Sequence, residues 1–350
     1  MNKTENLTHR ERMRREKRRQ WIVRGGLILA ALLVLAIILV LVFGNKGDNQ
    51  KPEASSGILA ESMQSGTSET PDISSTPAET PEATPTPEEV QISTEGLHSD
   101  YALLMRLSDD AILMNKAGMD KMFPASMTKI MTATVAIENL PDLDEQVTVT
   151  AEEINPVYEM GASLAGFDAG ETVTVRDLLY GVLLPSGAEA CAALADRVAG
   201  SQEAFVDMMN QKAREIGMEN THFVTDSGLH DPDHYTTCYD IAKLLEYAIQ
   251  NETFRTIFTT PSYTTSPTDS HPEGLTMHST MFSQLPSPNL DNGGVVEGGK
   301  TGTEDAAGHC LASLALINGE EYILVTGHAP DNEEGYPYNI ADALYVYNQL

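Results

Sequence analysis

The chain has 350 residues, with 22 Lys and Arg against 51 Asp and Glu and a formal net charge of −29. So acidic a chain repels nucleic acid as a whole and favours solubility, while the charge carries no information about fold. The length allows a sizeable core plus non-globular segments, so the chain must be divided before it is interpreted.

The first division is sharp. Residues 1–26 carry nine Lys and Arg against three Asp and Glu. Residues 25–44 then read GGLILAALLVLAIILVLVFG, twenty uncharged residues that cover the hydrocarbon core of a bilayer at helical rise. We expect a cytoplasmic basic segment at 1–24 and a transmembrane helix at 25–44, oriented by the excess of positive charge so that the C-terminal portion lies outside the cell. A cleavable signal peptide is the rival reading. The run is longer than the apolar core of such a peptide, and no small-residue cleavage site follows it directly. Residues 45–95, exemplified by TPAETPEATPTPEEV, are rich in Pro, Ser, Thr and Glu and too poor in apolar residues to fold. They form a linker that spans ~40 Å as a coil and up to ~150 Å extended.

The remaining 96–350 hold 38 acidic and 11 basic residues, a net charge of −27. YALLMRL and AILMN flank Ser108, Asp109 and Asp110, which predicts a hairpin at the start of the domain. Helical patterns cover Ser126 to Asn139, Val175 to Leu184, Glu189 to Val198, Glu203 to Ile216 and Tyr239 to Gln250. CLASLALI and EYILVTGHA flank Asn318 and Gly319, a strong hairpin signal, and a last helix runs from about Tyr338 to Asn348. Strands at both ends with helices between them predict an α+β fold: one antiparallel sheet built from both ends of the domain, with flanking helices and an inserted helical subdomain. The cleft between sheet and helices is the place to look for a site. Cys191, Cys238 and Cys310 have no metal-ligand spacing; one disulfide is possible, but buried small apolar residues fit better.

The stretch FPASMTKIM places Lys129 in an otherwise uncharged run. From Ser126 to Ile137 apolar or small residues face nearly every direction, so the helix is expected to be buried all round. A buried ammonium loses solvation, its pKa falls, and the neutral amine becomes available as a base. Ser126 lies three residues earlier on the same face, so the amine can take the hydroxyl proton as Ser126 attacks a carbonyl. Pro124 suits a helix start, which puts Ser126 on the first turn, where free N–H groups favour an oxyanion. An S-x-x-K motif recurs by chance, and a lysine in such a place can simply snorkel to the surface. Two further stretches raise its weight: LLPSGAEA holds Ser186 in a break between helices, and EGGKTGTEDAAG holds Lys300 ahead of the last hairpin.

S-x-x-K, a middle serine motif and K-T-G occur in the order found in penicillin-binding proteins and class A β-lactamases. Residues 98–350 resemble the serine D-alanyl-D-alanine carboxypeptidases, the low-molecular-mass penicillin-binding proteins with a β-lactamase-like fold. PASMTKIMTA, GGKTG, AGHCLASLA and NTHFVTDSGLHDPDHYTTCYDIAKLL all match that family's blocks. The resemblance implies a nucleophilic Ser126, a proton-accepting Lys129 and a proton relay through Ser186, with the N–H groups of Ser126 and Thr303 as oxyanion hole. It implies that Lys300, Thr301, Gly302 and Thr303 receive the substrate's terminal carboxylate, and Lys300 is the only Lys or Arg after Arg255. The implied substrates are peptidoglycan stem peptides ending in D-Ala-D-Ala, with β-lactams as acylating inhibitors and no cofactor or metal.

One departure stands out. The family's middle motif normally reads Ser-x-Asn, whereas here Ser186 and Gly187 are followed by Ala188 and Glu189. Loss of that amide leaves open a degenerate module that binds wall peptides or penicillin with little turnover. A β-lactamase needs a water-activating glutamate, and Glu152, Glu153 and Glu159 lie upstream of where its loop belongs. The stretch HDPDHYTTC, with His230, Asp231, Asp233, His234 and Cys238, has no recognised zinc spacing and reads as a turn.

Overall fold

The computed structural model describes residues 92–333 and 337–350. The predicted basic segment, membrane helix and nearly all of the predicted linker lie outside these residues.

Strand β1 (Tyr101–Arg106) and strand β2 (Ala111–Lys116) form the expected first hairpin. After a 3₁₀ turn at Ala125–Thr128 come α1 (Lys129–Asn139), β3 (Gln146–Thr148), α2 (Ala151–Glu159) and β4 (Thr172–Thr174). Helices α3 (Val175–Leu183), α4 (Ala188–Ala199), α5 (Gln202–Glu215), α6 (Cys238–Ala248) and α7 (Glu252–Phe258) follow. Strands β5 (Ser262–Thr264), β6 (Thr276–His278), β7 (Val295–Glu304), β8 (Gly308–Ile317) and β9 (Glu320–Ala329) lead to α8 (Asn339–Tyr347).

The main sheet has the order β2-β1-β9-β8-β7, and all of its pairings are antiparallel. Strands from both ends of the domain therefore meet at β1 and β9, as the sequence predicts. Near-continuous apolar runs in β1, β8 and β9 arise because both faces of the sheet are covered. Leu103, Met105, Ala312, Leu314, Ile323 and Val325 enter the core shared with the helices between β2 and β7. Ala102, Leu104, Leu311, Ala315 and Leu324 point the other way and pack with Ile340, Val346 and Tyr347 of α8. The β8–β9 turn puts Asn318 at φ 53° and Gly319 at φ 84°, the left-handed pair that a two-residue hairpin turn requires.

Helix starts follow their caps. Thr174 and Asp177 form a reciprocal capping box at α3, while Ser201 and Thr237 cap α5 and α6. The sequence reading missed α2, although Thr150 and Glu153 carry the same box, and missed α7, capped by Asn251. Both are short, and α2 contains Pro156. Cys191, Cys238 and Cys310 are free and buried.

Helix α8 is tied to the start of the domain by Asp342, which is 2% exposed. One carboxylate oxygen accepts the Ser99 N–H at 2.7 Å and hydroxyl at 2.6 Å, and the other accepts the His98 N–H at 3.1 Å. Asp342→Ala strands the buried Ser99 donors without acceptors. It is expected to lower the unfolding free energy by about 2 kcal/mol or more, read as a shift of the urea midpoint.

Candidate active site

The site begins at a turn that is held from three sides. Pro124 starts it at φ −75°, and Ala125 follows at φ 46°, a conformation rare for a residue with a side chain. Gly302 of β7 lies so close that an added Cβ would be 3.1 Å from the Ser126 nitrogen. Gly228 lies closer still: at φ 81°, its added Cβ would be 1.9 Å from the Ala125 carbonyl oxygen. The third contact is through Thr128, whose hydroxyl donates to the Ala125 carbonyl at 2.8 Å and meets His234 Nε2 at 2.8 Å.

His234 has its tautomer fixed by its neighbours. Nδ1 accepts the backbone N–H groups of Val224 at 3.0 Å and Thr225 at 3.2 Å, so Nε2 carries the proton and donates to Thr128. Burial pushes this imidazole from 6.5 down to about 4, so it stays neutral. Both ring nitrogens are occupied, which leaves none for a metal. The stretch around it forms the expected turn, with Asp231 accepting from the N–H groups of Asp233 and His234.

Ser126 sits in the 3₁₀ turn, and Lys129 opens α1. Lys129 Nζ donates to Ser126 Oγ at 3.1 Å and to the Ser227 carbonyl at 2.6 Å. The lysine is 2% exposed, and every residue from Lys129 to Ile137 is buried, as the uncharged run predicts. Burial lowers the Lys129 pKa from its usual value, opposed by the carboxylates of Asp226, Glu189 and Glu304.

Opposite this pair lies a second one. Ser186, at φ 71° in the break before α4, accepts a hydrogen bond from Lys300 Nζ at 3.0 Å. Lys300 has no exposed surface and also donates to the Thr301 carbonyl at 2.8 Å. Desolvation, then the nearby Lys129 charge, hold its pKa well below the ordinary value. Strand β7 is the edge of the sheet, so its free side can face the helical layer. Thr301 is buried, with its hydroxyl 2.6 Å from that of Thr280, whereas Thr303 is exposed, with its hydroxyl 3.1 Å from His309 Nδ1.

The structure thus brings Ser126 together with Lys129 and Gly302, and Ser186 together with Lys300 and the Thr301 carbonyl, with Thr303 two residues beyond Thr301 on β7. Ala188 is buried, and its N–H donates to the Ser163 carbonyl at 2.9 Å. The Lys129 amine has two acceptors, the Ser126 hydroxyl and the Ser227 carbonyl. Glu189 is fully buried and accepts the N–H groups of Ala165 at 2.6 Å and Gly166 at 2.9 Å, fixing the loop beside the Ser186 turn. The sequence reading missed Ser227, Asp226, Thr280 and the structural part played by His234. Ser227 acts through its backbone carbonyl and leaves no mark in a residue pattern.

A cavity of about 420 Å³ lies behind Phe123, lined by Lys121, Tyr235, Ala307 and His328 among others, and does not include Ser126. Among the described residues, Asp168, Glu171 and His271 could hold a metal ion, with ligand atoms within 4.8 Å of one another. The Glu171 oxygens are already engaged by the Thr268 hydroxyl, His271 Nδ1 and the Asp168 N–H.

A buried amine against a helix-start serine, faced by a serine–lysine pair on a helix break and an edge strand, defines an α+β serine acyl-transfer fold of the penicillin-binding type. The D-alanyl-D-alanine carboxypeptidase family, Peptidase S11, matches residues 88–330, and the chain belongs to it. The D-alanyl-D-alanine carboxypeptidase DacD of Escherichia coli is 32% identical over 248 residues, covering 68% of this chain and 60% of that protein. The Bacillus subtilis enzyme DacF is 36% identical over 150 residues, 42% of this chain and 39% of its own. The chain therefore spans less than two thirds of the length of these curated relatives. The crystal structure of the Streptomyces K15 DD-transpeptidase superposes with a TM-score of 0.65 at 29% identity, covering 74% of this chain and 98% of that one.

The clamp on the nucleophile turn gives two expectations. Gly228→Ala adds a Cβ that overlaps the Ala125 carbonyl at a φ unsuited to alanine, so it should destabilise the fold and displace Ser126, seen as a lower melting temperature and slower acylation together. The His234 pKa lies lower in the folded state, about 4 against 6.5, so the stability it contributes is complete above pH 6.5 and is lost as pH falls towards 4. Urea unfolding should show this group losing about 2 kcal/mol between pH 7 and pH 5. His234→Asn should flatten that part of the pH dependence.

Proposed function

We propose that this chain is a membrane-anchored serine D-Ala-D-Ala carboxypeptidase that removes the terminal D-alanine from peptidoglycan stem peptides through an acyl-enzyme on Ser126. The observation that carries the reading is the Lys129 amine, buried and 3.1 Å from Ser126 Oγ. Lys129 takes the Ser126 proton, and the oxygen attacks the carbonyl carbon of the penultimate D-alanine. The N–H groups of Ser126 and Thr303 receive the negative charge on the carbonyl oxygen. Ser186 passes a proton to the leaving amine of the terminal D-alanine, and water then hydrolyses the ester.

Lys300 serves this reaction from behind Ser186: its amine orients that hydroxyl and supplies positive potential to a substrate carboxylate. Thr303, exposed at the end of β7, is the hydroxyl that a carboxylate reaches directly. β-Lactams acylate Ser126 by the same route, and no cofactor or metal enters the scheme. The domain boundaries 1–24, 25–44, 45–95 and 96–350 assign the basic segment to the cytoplasm, the apolar run to the membrane and the catalytic domain to the outside, at the end of the acidic, proline-rich linker. Nucleic acid is not a partner of so acidic a domain.

A second reading, supported by the likeness to a DD-transpeptidase, keeps the acyl-enzyme but gives the acyl group to an amine of a second peptide instead of water.

Full-length protein in detergent, incubated with a peptide ending in D-Ala-D-Ala, should release free D-alanine. Penicillin should add its mass to the peptide carrying Ser126, and Ser126→Ala should lose both. A Ser126→Ala protein that still releases D-alanine overturns the assignment. A product joined to an added acceptor amine, with little hydrolysis, favours the second reading. Lys129→Met should slow acylation by about 10²–10⁴-fold while leaving the melting temperature near or above that of the parent.

A further inference from the structure

Three buried side-chain oxygens among the described residues have no hydrogen-bond partner: Glu189 Oε2, Asp226 Oδ2 and Thr326 Oγ1. Two of them belong to carboxyl groups that act on Lys129. Asp226 is the one whose own segment grips the helix that carries the amine. It precedes Ser227, whose carbonyl holds the Lys129 amine, and its own carbonyl accepts the hydroxyl of Thr132, one turn further along α1. The segment carrying the carboxyl is thus fastened to the helix carrying the amine at two successive turns. Asp226 is 4% exposed.

A buried carboxylate with an empty oxygen costs free energy unless a positive charge compensates it. Lys129 provides that charge at one moment of the reaction: when it has taken the proton of Ser126 and become a buried ammonium. We propose that Asp226 is a positioning residue whose carboxylate stabilises the Lys129 ammonium formed as Ser126 is deprotonated. The inference rests on the acyl-enzyme reading and adds a member to its proton-transfer chain. No bond is made or broken at Asp226; the proton moves from Ser126 Oγ to Lys129 Nζ, and the carboxylate offsets the resulting charge.

The electrostatic setting is consistent with that part. Burial raises the Asp226 carboxyl to about 6, while the Lys129 charge pulls it down, so it is ionised at neutral pH. Other groups face the pair from each neighbouring element. From α4 come Glu189 and Cys191 towards Lys129 and Asp196 towards Asp226. From β7 come Glu304 and Lys300, and from the loop before α6 comes His234, neutral at this pH. Cys191 stays a thiol because burial raises its pKa.

The test is the rate of penicillin acylation of full-length protein in detergent, measured from pH 5 to pH 10 for the wild type, Asp226→Asn and Asp226→Glu. Removing the negative charge lowers the Lys129 pKa, so Asp226→Asn should move the acid limb of the profile to lower pH by about one unit or more and lower its plateau. Asp226→Glu should keep the limb near its wild-type position. A purely structural role would lower the rate at every pH without moving the limb. If Asp226→Asn does not fold, Asp226→Ser, which leaves room for a water, carries the same readout. An unmoved midpoint in a folded, wild-type-labelled series overturns this proposal alone, whereas a wild-type protein that penicillin never labels overturns it together with the acyl-enzyme reading.

Discussion

A primary amine kept out of water is the constraint around which the rest of this domain is arranged. Lys129 can serve Ser126 only if it gives up its proton near neutral pH, and burial is what lowers its pKa. That burial requires a helix with no polar face. It explains why the segment from Lys129 to Ile137 lacks any other charge and why α3, α4, α5 and α6 enclose it. The stability of the helical layer and the reactivity of the amine therefore come from the same packing, and loosening one changes the other.

The second requirement is that the serine be presented rigidly to that amine. Three segments distant in sequence meet at the turn before α1: the 225–228 loop, His234 through Thr128, and β7 through Gly302. They hold Ala125 in a left-handed conformation that an isolated chain would avoid. Ser186 is held in the same unusual region, with Lys300 behind it. Strain at Ala125, next to Ser126, and at Ser186 is maintained by the sheet on one side and the helical layer on the other, so the site exists only where the two parts of the fold join. The usual amide of the middle motif is absent at Ala188, and Lys129 donates to the Ser227 carbonyl.

The sheet and the larger helices were legible because their signals are strong and local: apolar runs flanking turn residues, a two-residue Asn-Gly turn, and helical apolar periodicity. Short elements such as α7 and the β3–β4 pair owe their form to tertiary contact more than to their own sequence. In the candidate site, Ser126, Lys129, Ser186 and Lys300 stood out through spacing and through one lysine where none belongs. The groups that tune them did not. Ser227 contributes a backbone carbonyl, Asp226 looks like any turn acid, and His234 lies in a stretch whose Asp-Pro pairs suggest only a turn. Their meaning arises when residues about a hundred positions apart in sequence are brought together, as Lys129 and Ser227 are.

The measurement that bears most directly on the central claim is the titration of Lys129 itself. Protein labelled in its lysine side chains, with the Lys129 signal assigned by its disappearance in Lys129→Arg, reports the protonation of this amine by nuclear magnetic resonance as pH is varied. The account predicts a midpoint clearly below the ordinary 10.5, with a resonance that responds to acylation of Ser126. A Lys129 that titrates at or above 10.5 would leave Ser126 without a base and contradict it.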